Sequence, residues 1–233
     1  MAHVAQIKKD YEEMMTKFAA EFSVEGKDFP GGLNGYLRQL ALLEREKWKD
    51  IAAIVSPREL EDLQMQDTHA GKEVQRLLGD TAAAGGARRA VFRVQAEFDD
   101  KWALTFDPAP ATLLARQSDW LAAEEKILGL LGPDLFGAWL RGDGFDVAQA
   151  STWGAQHGAG PEFALNQWRL QNEFVLARLQ ISAQGLPPDE AQAKLTALVE
   201  HMHERAVAVF GSVVVEAAQA GGRNLWVRSA ESR

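Results

Sequence analysis

The stretch SPRELEDLQMQD at 56–67 has a counterpart 76 residues later, GPDLFGAWLRGD at 132–143. The same offset, with no gap, then lays FRVQAEF (92–98) on WRLQNEF (168–174). In the first pair Ser56-Pro57 meets Gly132-Pro133, Leu60 meets Phe136, Leu63 meets Trp139 and Asp67 meets Asp143. In the second, Arg, Gln, Glu and Phe are identical and Phe92 stands opposite Trp168. A third, partial copy, HMHERAVAVFGSVVVEAA (201–218), matches AAEEKILGLLGPDLFGAW (122–139) at an offset of 79. One offset that holds two separate matches points to a tandem duplication, and copies of one helical unit stack to bury a shared core. With two complete units and a closing half-unit, the expected form is a compact multi-helix bundle rather than an open solenoid.

Helical periodicity runs through almost every segment, and no convincing alternating pattern marks a strand, so the expected fold class is all-α. Helices are expected near 3–24, 33–55, 57–66, 70–78, 87–102 and 111–131. Others follow from Pro133 to about 141, near 146–156, 162–183 and 189–210, and in a short tail helix after Gly211. Ser56-Pro57 reads as an N-cap followed by proline at the first helical position, with Glu59 in the first turn. Gly132-Pro133 reads as a break between two helices, and TAAAGGA (81–87) as a loop. The expected division is an N-terminal helix and linker at 1–32, a duplicated helical domain at 33–220 and a C-terminal tail at 221–233. Within the domain, unit one covers about 33–131 and unit two about 111–211.

A net charge of -8 argues against a nucleic-acid or anionic-membrane surface, and the densest basic pair is only Arg88-Arg89. There is no cysteine, which removes disulfides, thiolate-bound zinc and a thiol nucleophile. The N-terminus lacks a continuous apolar core of the signal-peptide kind, and no stretch reaches the length of an apolar membrane span. The expected location is cytoplasmic.

Phosphate-binding glycine loops, the dinucleotide fingerprint, the nucleophile elbow and His-Glu-x-x-His are all missing. One cluster can be weighed for chemistry: VEHMHER, 199–205. Glu200 and His203 are one helical turn apart, the spacing by which carboxylate-bridged metal bundles aim two ligands at one ion. Such a site needs the element twice, and the equivalents of Glu200 and His203 one repeat earlier are Leu121 and Glu124. Glu12, Glu13, Glu97 and Glu173 are possible carboxylate donors, but an acidic bundle carries surface glutamates in any case. Glu97 and Glu173 recur at matching positions and invite an acid–base pairing. The plainer expectation pairs them with Arg93 and Arg169 one turn earlier. Gln95 and Gln171 also recur, beside the core positions Val94, Phe98, Leu170 and Phe174. They are expected as partly buried amides bonded to a neighbouring loop backbone rather than as ligand-pocket groups. His69 and His157 fall in connectors.

The seven tryptophans read mostly as core fillers. Trp153 and Trp226 lie in short or terminal segments and are expected to be the more exposed ones. Trp226 beside Arg223 and Arg228 has the composition of a protein-binding anchor. The competing expectation is a tail that folds back and caps the bundle.

The order LLEREKWKDIAAI, SPRELEDLQMQDT, FRVQAEFDDKW, LLGPDLFGAWLRGD, NQWRLQNEF and LPPDEAQAKLTALVEHMHERAVAVFG, over about 37–220, resembles an uncharacterised helical repeat domain. That domain occurs in planctomycete- and verrucomicrobia-type bacterial proteins. The resemblance implies a helical fold and a bacterial setting, and it brings no assigned activity and no catalytic residue. Many members carry an upstream Cys-Pro segment and an export or membrane signal, neither of which stands in this sequence. The function expected from these features is a non-enzymatic helical module for protein interaction or self-association, with Trp226, Arg223 and Trp153 as contact residues and no cofactor. The alternative is a metal- or small-ligand-binding bundle, in one version an enzyme, built on Glu200 and His203.

Overall fold

The computed structural model describes residues 2–25, 29–79, 86–142 and 145–227. Among the described residues the chain is all-helical, with ten helices and no strand. They are α1 (Ala2–Glu25), α2 (Gly32–Ala52), α3 (Pro57–Asp67), α4 (His69–Leu78), α5 (Arg88–Trp102), α6 (Pro110–Gly142), α7 (Val147–Gln156), α8 (Phe163–Ala183), α9 (Pro188–Phe210) and α10 (Ser212–Ala220). Asp143, Arg228 and residues 81–85 of the expected loop lie outside the described residues.

Local chemistry sets the boundaries. Ser56 starts α3 with a reciprocal cap: its hydroxyl accepts from the Glu59 N–H at 3.3 Å, and the Glu59 carboxylate accepts from the Ser56 N–H at 2.9 Å. Inside α6 the helix breaks at Gly132, with φ 70° and ψ 170°, and resumes at Pro133. That conformation is open almost only to glycine, and proline then supplies a preset first helical φ. Gly211, between α9 and α10, repeats the bend with φ 83° and ψ 154°. The two glycines that face one another in the third-copy alignment thus hold the same backbone turn.

The chain forms two compact units. Unit 1 comprises Met1–Glu73 and Gln95–Asp107; unit 2 comprises Val74–Val94 and Pro108–Arg233. In unit 1, α1 and α2 form an antiparallel pair. Val4 meets Ile51 and Leu63 at one end, with Trp48 and Ile7 around them. At the other end Phe22 stacks on Tyr36 with centroids 4.2 Å apart, and Phe29 meets both edge-on. Tyr11 donates to Asp50 at 2.8 Å across the pair, and Lys8 pairs with Asp67. The carboxylate partner raises the Tyr11 phenol above its ordinary range.

Unit 2 is arranged around α8, which packs on α6, α7 and α9. Phe163, Leu165, Trp168, Leu170, Gln171 and Asn172 are all buried and point to every side of the helix. A helix buried all round sits at the centre of its bundle. Trp168 meets Phe136, just past the α6 bend, edge-to-face at 5.2 Å. Gly154 of α7 lies so close to Phe163 that a β-carbon there would stand 2.6 Å from the ring.

Several residues that align at the 76-residue offset are buried alike. Phe92 and Trp168 are 3% and 0% exposed, Leu63 and Trp139 are 8% and 3%, and Gln95 and Gln171 are 6% and 4%. The two glutamines correct one expectation: neither Oε1 is bonded to a loop backbone, and both are buried without a hydrogen-bond partner. The core spacing of Val94, Phe98, Leu170 and Phe174 gives full burial only at Leu170, the others being half-buried. The expected intrahelical pair Arg169–Glu173 is not formed. Arg169 reaches Glu125 of α6 at 3.1 and 3.4 Å, and Glu173 receives Arg205 of α9 at 3.2 and 3.3 Å. Facing helices offer each guanidinium a fork-to-fork geometry that a partner on its own helix does not. Glu173 accordingly raises the Arg205 pKa.

Candidate functional site at the C-terminal end of unit 2

Two consecutive turns build this region. At the end of α10 the Arg223 N–H bonds the Ala218 carbonyl at 2.8 Å, and the Gly222 N–H bonds the Gln219 carbonyl at 2.9 Å. With Gly222 at φ +67°, this is the paired-bond helix stop that reverses the chain. The Asn224 side-chain oxygen then accepts from the Trp226 and Val227 N–H groups at 3.0 and 3.1 Å. The tail is therefore folded back on α10, and Leu225 and Trp226 are only 1% and 6% exposed. This overturns the expectation of an exposed Trp226 in favour of the capping tail. A free anchor would leave a large apolar ring in water, and the two turns give it a place inside.

Between α10 and the returning tail lies a cavity of about 270 Å³, whose lining includes Val215, Ala218 and Leu225 together with Gln219, Arg223 and Trp226. From α9, His203 approaches the Trp226 ring edge-on at 6.3 Å, and Gln219 Nε2 donates to His203 Nδ1 at 3.2 Å. Arg223 lies over the face of Trp153, with the guanidinium carbon 5.0 Å from the ring centroid. Trp153 is half-buried and stacks on His157 at 4.2 Å, while the His157 Nδ1–H donates to the Trp153 carbonyl at 2.8 Å. Behind it Phe163 connects Trp153 (5.5 Å) to Phe210 (4.8 Å).

The structure thus brings Arg223 and Trp153 together, seats Trp226 in the same pocket lining as Arg223, and adds His203 at the edge. Glu200 stays apart from them, exposed on α9. Among the described residues no group of three or more His, Asp or Glu is arranged to hold a metal ion. Gln219, Gly222 and Asn224 are the parts that sequence reasoning passed over. Their signal is the tetrapeptide GGRN (221–224), where glycine and asparagine mark two turns in succession.

Comparison of the chain with protein-family models gives no match, and neither curated proteins nor solved structures supply one. No helix among the described residues is long and apolar enough to cross a membrane.

Proposed function

We propose that this chain is a non-enzymatic helical module that binds a protein partner or a second copy of itself at the C-terminal end of unit 2. The observation that carries the reading is the cavity of about 270 Å³ between α10 and the folded tail, with Arg223 and Trp226 in its lining and Trp153 against Arg223. Arginine and tryptophan in a partly desolvated recess are the residue types that carry binding energy at interfaces. The tail acts here as a wall of the site rather than as a free hook.

The alternative, a metal- or small-ligand-binding bundle or an enzyme on Glu200 and His203, has less support. Glu200 stands in solvent and His203 Nδ1 is engaged by Gln219. On the sequence motifs we also propose kinship with the uncharacterised bacterial helical family, and a cytoplasmic setting belongs to the same reading.

Native mass measurement on the untagged chain tests the proposal. A metal-free dimer that dissociates in the Arg223→Ala variant is the expected result for self-association. A metal-free monomer removes self-association and leaves partner binding at the pocket. A monomer carrying stoichiometric iron, manganese or zinc overturns the proposal in favour of the Glu200–His203 alternative.

A further inference from the structure

We draw no further inference here: the strongest candidate, the half-buried apolar face of the α1–α2 hairpin in unit 1 that includes Phe18, Phe22, Tyr36 and Leu40, carries nothing because the structure does not show what covers it.

Discussion

Single glycines decide where this chain bends. Gly132 and Gly211 hold φ 70°, ψ 170° and φ 83°, ψ 154°, and a β-carbon at either would meet nothing within 4 Å. The cost of alanine there is thus purely conformational, about 1–3 kcal/mol. Chemical denaturation of Gly211→Ala should show a loss of that size with an unchanged slope. Stability equal to the parent chain would mean that the α9–α10 bend has a second geometry open to other residues. Gly154 is the opposite case: its place is set by the Phe163 ring 2.6 Å from a built β-carbon, so space rather than φ selects glycine. The first kind of glycine was legible in the sequence, because Gly132-Pro133 ends one periodic segment and starts the next. The second was not, because nothing in the order of residues says which ring will lie across α7. The same limit applies to Gln95 and Gln171, whose recurrence could be read but whose bare, buried side-chain oxygens could not.

Several helices were legible to within a few residues because they begin or end on a feature with its own mechanism. The cap of α3 is the clearest. Hydrogen bonds from Ser56 hold the Glu59 carboxyl below its ordinary range. A group whose pKa is lowered by folding contributes stability above its unfolded value of about 4.5 and loses it as pH falls through the lowered folded value. Glu59→Gln keeps the reciprocal bonding pattern and removes the titration. Thermal melts of the two chains across acid pH should therefore converge as pH drops, with the variant the flatter of the two. Parallel acid slopes would show that the Glu59 carboxylate has no linkage to folding. Pairings between helices were the part that one-dimensional reasoning missed. A turn-spaced Arg169 and Glu173 suggest one intrahelical pair, yet each finds its partner on a neighbouring helix, Glu125 and Arg205. At 40–47% side-chain exposure these are screened contacts that set the registry of α6, α8 and α9 more than they stabilise them. The choice between an own-helix and a facing-helix partner depends on packing, which periodicity does not encode.

At the scale of the molecule, residues 221–227 of the tail belong to the folded body of unit 2. The composition of GGRNLWVRS alone allows a loose aromatic hook or a cap, and two turns separate these readings. The glycine stop bends the chain back, and Asn224 then ties the two N–H groups that follow. Leu225 and Trp226 end at 1% and 6% exposure. Large apolar side chains buried to this degree typically cost about 3–5 kcal/mol when a Trp is cut back, with Leu of similar order. Ending the chain after Gly221 removes both side chains and uncovers Val215 and Ala218, which are each 1% exposed in the folded protein. A loss of about 4 kcal/mol corresponds to a fall in Tm of roughly 8–16 °C for a body of 150–250 residues. Truncation therefore reports on stability as well as binding, and Arg223→Gln, which leaves the apolar cap in place, is the variant that separates them. Calorimetry on the truncated chain should show the lowered transition while Arg223→Gln melts within a few degrees of the parent. Should the truncated chain melt like the parent, the tail would not be packed on α10 in solution, and the pocket it walls would lose its physical basis.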